Sequence, residues 1–272
     1  MSFIEALILA IVEGITEFLP ISSTGHMIIA SSLMGIAHED FTKTYTVSIQ
    51  FGAILSVIWL YRDRFMPRGG ISKSLREFYL KILVAFIPSV ILGFLFDDLI
   101  DAMLGNVMVV AFTLLAGGVF ILFLDVFIRE HKGKGSDQVS YRQAFIIGLF
   151  QCIAMIPGVS RSAATIIGGL QQKLNLKTSA EFSFFLAVPT MFAATTFKTF
   201  TFFSQGITIS NHQILLLIAG NVMAFIVAAL AIKSFIGFLV RHGLKAFGYY
   251  RIAVGVVLIL LAIAGVDLKI ID

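Results

Sequence analysis

Cysteine occurs once in the 272 residues, at Cys152, which excludes an intramolecular disulfide and a cysteine-rich metal site. Proline is scarce at five residues, and Asp, Glu, Lys and Arg together reach only 13%, against about 25% in a soluble domain. The chain also has no Ser/Pro-rich linker and no low-complexity segment that would divide it. It is therefore read as one integral membrane domain over residues 1–272. The first apolar stretch is not a cleavable signal, because Glu5, Glu13 and Glu17 interrupt it where an uncharged core would be needed.

Apolar residues fill the chain instead: 58% of side chains are hydrophobic and the mean hydropathy is +0.96. The net charge of +4 does not point to nucleic acid, because the basic residues cluster in loops beside apolar runs, where membrane orientation needs them. Runs of roughly 20 residues cross a hydrocarbon core. Candidates lie near 43–61, 79–97, 106–128, 181–203, 213–240 and 247–266.

Two further apolar pieces, 3–35 and 141–174, are broken at their centres by "LPISSTG" and "IPGVSRS". Proline removes a helical donor and glycine permits unusual backbone, so each piece reads as two half-helices. Non-helical backbone at membrane depth survives only where protein or water satisfies it. The pieces are therefore expected to be re-entrant hairpins whose tips meet near mid-bilayer.

Loop charges orient the spans. Arg62, Arg64, Arg68, Lys73, Arg76 and Lys81 outnumber Asp63 and Glu77 after the first span. Arg129, Lys132, Lys134 and Arg142 precede the second hairpin, and Arg241 and Lys245 lie between the last two spans. These loops are expected to be cytoplasmic. The acidic turns with Glu39 and Asp40, and with Asp97, Asp98 and Asp101, belong outside. The assignment closes only if both hairpins re-enter, with both termini outside.

Sliding the chain on itself by 138 residues lays "EGITEFLPISSTGHMII" over "QCIAMIPGVSRSAATII", matching Ile15 with Ile153, Ser22 with Ser160, Ile28 with Ile166 and Ile29 with Ile167. Each half, about 1–128 and about 141–272, then holds one hairpin and three crossings. An odd number of crossings inverts the second half, a plan that puts the site between the broken helices. The fold class expected is an all-α polytopic membrane protein of six transmembrane helices plus two re-entrant helical hairpins in an inverted-topology repeat.

Glu13 and Glu17 are one helical turn apart on one face, and carboxylates at membrane depth usually face a cavity and act there. A shallow hairpin would merely solvate them. Arg161 stands between Ser160 and Ser162 at the start of a half-helix, with Thr165 one turn on. A helix start favours anions, and the guanidinium adds two-pronged recognition of phosphate. Arg161 could instead pair with Glu13 or Glu17 across the repeat. Ser23 and His26, three apart, fit a nucleophile with its acid/base partner, or a helix cap beside a histidine satisfied by a carbonyl. Gln50 reads as an interhelical hydrogen-bonding residue, and Glu181 as a surface residue rather than a catalytic one.

"EGITEFLPISSTGH" and "PGVSRSAAT", within the frame of "SYRQAFIIGLFQC" and "EFSFFLAVP", resemble the undecaprenyl-diphosphate phosphatases associated with bacitracin resistance, over nearly the entire chain. The resemblance implies an enzyme that hydrolyses undecaprenyl diphosphate to the monophosphate and inorganic phosphate, recycling the carrier for cell-wall glycans, with divalent metal dependence. Carried over, its functional positions are Glu13, Glu17, Ser23 and His26, then Ser160, Arg161, Ser162 and Thr165. On this reading Glu13 and Glu17 hold Mg2+ or Ca2+. Ser23, or water in its place, attacks the terminal phosphorus, His26 moves the proton and Arg161 stabilises developing charge.

The partners are the lipid substrate and the bilayer, with bacitracin acting on the substrate, no nucleic acid, and a homodimer left open. The location implied is the bacterial inner membrane, with the site open to the external side. The alternative is a lipid-phosphate flippase or anion transporter built on the same site, which would move its cargo without releasing phosphate.

Overall fold

A computed structural model describes residues 1–66, 72–96, 99–100, 103, 106–129, 135–204, 209–266 and 268. Every named element among them is a helix. The first hairpin is α1 (Phe3–Thr16) and α2 (Ser23–Leu33), followed by α3 (Asp40–Leu60), the single turn α4 (Arg62–Phe65), α5 (Lys73–Leu95) and α6 (Val107–Arg129). The second hairpin is α7 (Tyr141–Ile153) and α8 (Arg161–Gln171), followed by α9 (Leu176–Ser204), α10 (Asn211–His242) and α11 (Lys245–Ile263). Of the charged loop residues used for orientation, Arg68, Asp97, Asp98, Asp101, Lys132 and Lys134 lie outside the described residues.

Capping starts both hairpins in the same way. Ser2 and Glu5 close a capping box on α1, and Ser140 and Gln143 close another on α7, each pair satisfying two donors that a helix start leaves open. Helices α7, α8, α10 and α11 begin 138 residues after α1, α2, α5 and α6. The arms of 14, 11, 13 and 11 residues reach about 21 Å at most at 1.5 Å per residue. That is short of a hydrocarbon core of roughly 30 Å.

Among the described residues, five helices are long and apolar enough to cross a membrane: α5, α6 over Val107–Leu124, α9 over Leu176–Thr201, α10 and α11. They carry the expected spans from 79 onward. The expected span at 43–61 falls in α3, which has 21 residues but is not among those five. Its polar first half, "DFTKTYTVSIQ", buries Thr42 and Thr46, and the helix packs against α1, α9 and α10.

The halves interlock. Hairpin arm α1 packs on α10 of the other half, and α7 packs on α5. Helix α3 meets α9, and α6 meets α11. Lipid offers no hydrophobic drive between helices, so close approach at small residues matters more. A Cβ at Gly52 would run into the Asn221 backbone, and one at Gly148 into that of Ala85. Asn221 also accepts from the Gly52 N–H at 2.8 Å and donates to Ser48 Oγ at 3.2 Å, an interhelical amide the sequence reading had not singled out.

Both hairpin tips rest against α6. Gly25 faces Leu114, and Gly158, at φ +87°, leaves no room for a Cβ beside the Thr113 hydroxyl, which donates to the Pro157 carbonyl at 2.6 Å. Gly158→Ala is therefore expected to cost at least about 1 kcal/mol, from the left-handed backbone and the collision together. A lowered unfolding temperature in detergent would show it.

Candidate active site

Two serines stand at corresponding places before α2 and α8, and both hold backbone that side chains rarely adopt: Ser22 at φ +68° and Ser160 at φ +73°. Such outliers cost on the order of 1–3 kcal/mol and persist only where the surroundings hold them. The supports differ. Ser160 caps its own helix, its hydroxyl accepting from the Ala163 N–H at 3.2 Å. Ser22 makes no side-chain cap.

Glu17 is the meeting point of the tips. One carboxylate oxygen accepts from the Ser23 hydroxyl at 2.7 Å, and the other accepts from Arg161 Nη2 at 3.3 Å. Glu13 is buried one turn earlier, on the face that carries Glu17. Arg161 also donates from Nη1 to the Ser183 carbonyl at 3.0 Å, and its guanidinium carbon lies 5.7 Å from the centre of the Phe18 ring. The Phe18 ring in turn meets Phe184 edge-on at 5.5 Å. The buried Nε of Arg161 has no acceptor among the described residues. An arginine fixed through two nitrogens, with the N–H of its third still to satisfy, suits a phosphate oxygen.

The other hydroxyls of the second tip serve the scaffold. Ser162 donates to the Phe18 carbonyl at 2.7 Å and so ties the two tips together. Thr165 donates within reach of the Arg161 carbonyl at 2.9 Å and lies 2.7 Å from Ser183 Oγ. His26 turns away from Ser23: its Nδ1 is 2.8 Å from the Ser22 carbonyl and its Nε2 is 2.8 Å from the Tyr250 hydroxyl.

Arg251, absent from the sequence reading, is a second cation that joins the tips. It is fully buried, and its Nη1 donates to the carbonyls of Val159 at 2.9 Å and Pro20 at 3.4 Å. Its Nη2 donates to Gly158 at 3.0 Å and to Thr113 of α6 at 3.2 Å. A signal was available, since Arg251 follows "FGYY" at the head of an apolar span, but a positively charged span end reads equally as an orientation signal.

Over residues 6–257 the chain matches the family described as "Bacitracin resistance protein BacA". It belongs to that family. Among curated relatives it is 56% identical over 262 residues to the undecaprenyl-diphosphatase of Flavobacterium johnsoniae, an alignment covering 96% of each chain. It is 54% identical over 284 residues to that of Porphyromonas gingivalis, covering 99% of this chain and all of the relative. It is 46% identical over 255 residues to that of Aquifex aeolicus, covering 93% and 96%.

Within this member of the BacA family, the eight residues singled out from sequence lie on the two hairpins and their tips. Glu17, Ser23 and Arg161 are in direct contact, Ser162 and Thr165 support them, and His26 faces α11. Lys177 lies 3.9 Å from Glu181, a turn apart near the start of α9, away from Glu17.

No three His, Cys, Asp or Glu side chains cluster as a metal cage among the described residues. Two carboxylates are nevertheless what a hard cation needs from protein when diphosphate oxygens and water complete its shell. Glu13 and Glu17 fit that role.

Proposed function

We propose that the chain is a membrane-embedded phosphatase that hydrolyses undecaprenyl diphosphate to undecaprenyl phosphate and inorganic phosphate. The observation that carries this reading is the Ser23–Glu17–Arg161 contact: a hydroxyl, an acceptor for its proton and a guanidinium with an unused donor, brought together from two broken helices. Identities of 46–56% to undecaprenyl-diphosphatases over nearly the full length support the substrate.

The chemistry follows from the placement. Ser23 Oγ attacks the terminal phosphorus in line, its proton passes to Glu17, and the bond from phosphorus to the bridging oxygen breaks, releasing undecaprenyl phosphate. Water then attacks the phosphoserine, Glu17 returns its proton to the serine oxygen as the bond from that oxygen to phosphorus breaks, and inorganic phosphate leaves carrying the protons of the water. As Glu17 takes up the serine proton, its hold on Arg161 weakens and the guanidinium is freed for the equatorial oxygens, where charge gathers. A divalent ion held by Glu13 and Glu17 with the diphosphate would neutralise phosphate charge. In this reading His26 supports the tip instead of abstracting the serine proton.

The short hairpin arms and the 138-residue correspondence of helix starts favour re-entrant hairpins in two inverted halves, with the site between them. The orientation read from the loop charges opens the site to the external side of the inner membrane, and the lipid tail then leaves sideways into the bilayer.

Inorganic phosphate release from undecaprenyl diphosphate by purified protein, with and without chelator, tests the reading. Wild-type protein is expected to release phosphate, to stop on chelation, and to lose activity by about a hundredfold or more in Ser23→Ala. A Ser23→Ala protein with near-normal turnover would make water the attacking group. Absence of release by folded wild-type protein would remove the phosphatase reading.

A further inference from the structure

The two tips share one strained serine geometry but not one means of holding it. At the second tip Ser160 is held by its own hydroxyl, which caps α8, while Arg251 holds the carbonyls of Gly158 and Val159 just before it. At the first tip the Ser22 side chain makes no cap, and Arg251 reaches only the Pro20 carbonyl, at 3.4 Å. The Ser22 carbonyl is held instead by His26 Nδ1 at 2.8 Å.

A carbonyl can only accept, so His26 carries its proton on Nδ1. In the neutral ring Nε2 is then an acceptor, and the Tyr250 hydroxyl, 2.8 Å away, donates to it. The two rings are nearly coplanar in orientation, with 4° between planes and 5.5 Å between centres. Tyr250 comes from α11 of the opposite half and immediately precedes Arg251. Thus α11 reaches the first tip twice, through a guanidinium and through a phenol.

We propose that Tyr250 is a positioning residue of the phosphatase site. Acting through His26, it fixes the Nδ1–H tautomer, pins the Ser22 carbonyl, and so aims the next residue, Ser23, at Glu17. The inference rests on the phosphatase reading for its effect on turnover, but the strut itself is independent of it. The second half needs no such strut, because Ala164 stands 138 residues after His26 and Ser160 caps itself.

The test is the full-length protein in detergent and lipid with Tyr250→Phe, which removes one oxygen and keeps the ring. The variant is expected to lower kcat about tenfold, as loss of a supporting hydrogen bond does, with KM within about twofold, because aim rather than binding is lost. In a His26→Ala background the same change is expected to have no further effect, since the two act as one unit. Nitrogen-15 spectra of histidine-labelled protein, with the His26 signal assigned by its disappearance in His26→Ala, should show a protonated Nδ1 and a bare Nε2. Tyr250→Phe should lose that single tautomer.

An unchanged kcat in Tyr250→Phe beside an active wild type overturns the proposal. So does a tenfold loss that persists in the His26→Ala background, or an Nε2–H tautomer in the wild type. If wild-type protein releases no phosphate, the phosphatase reading fails, and the spectra alone then decide whether the strut exists.

Discussion

Arg161→Lys is expected to lower phosphate release on the order of a thousandfold, the scale seen when a donor aimed at transition-state charge is removed. The charge is kept, so a loss this large would come from geometry. Arg161 spends Nη1 on the Ser183 carbonyl and Nη2 on Glu17, and its Nε is left for a third acceptor. An ammonium presents its donors from a single atom and cannot fill three directions set by a planar fork. Helical content and the unfolding temperature should change little, because a lysine can still pair with Glu17. Turnover within a few-fold of wild type, measured as inorganic phosphate release, would remove Arg161 from the phosphate site.

Arg251→Met should act on the scaffold first and on activity through it. The substitution leaves carbonyls of Pro20, Gly158, Val159 and Thr113 without the guanidinium that now serves all four. Each buried acceptor left unsatisfied costs about 1–3 kcal/mol, so the loss is expected to reach several kcal/mol. The unfolding temperature in detergent should fall sharply, and phosphate release should be lost even below it, because both tips lose the guanidinium that ties them to α6 and to each other. Arg251→Lys restores some of these bonds and is expected to be intermediate in stability. A Met variant that unfolds like wild type would show that other contacts hold the tips.

Both predictions depend on an asymmetry visible in the repeat. In the 138-residue correspondence Glu13 answers to Gln151, Glu17 to Met155, Ser23 to Arg161 and His26 to Ala164. One tip supplies the carboxylates and the hydroxyl, the other the cation. Gln151 occupies its buried place by donating to Ser89 at 2.6 Å and Thr190 at 3.1 Å, residues that follow Pro88 and Pro189 inside their helices. An amide there satisfies the hydroxyls without placing a second charge.

The sequence by itself determined the all-helical membrane class, the two broken segments and the family, because hydropathy, proline and glycine breaks and short polar motifs are local properties. It also supplied the residues that meet, Glu17, Ser23 and Arg161, since charged groups in an apolar chain stand out one by one. Only the tertiary structure decided which of them touch. Spacing left Ser23 either beside His26 or next to a histidine satisfied by a carbonyl, and the left-handed turn at Ser22 sends the serine to Glu17 and the imidazole to the Ser22 carbonyl and Tyr250. The resemblance implied Ser160, Ser162 and Thr165 as functional positions, and packing engages their hydroxyls in a helix cap, a bond across the tips and a bond to Ser183 of α9. Arg251 and Ser183 reach the site from α11 and α9, and a contact across 231 residues, as from Arg251 to Pro20, leaves no trace in local sequence. Helix α3 is the least apolar of the expected spans for the same reason: its polar residues pack against neighbours that hydropathy does not record. Buried polar groups must find partners, and which partners they find is settled by packing across the halves.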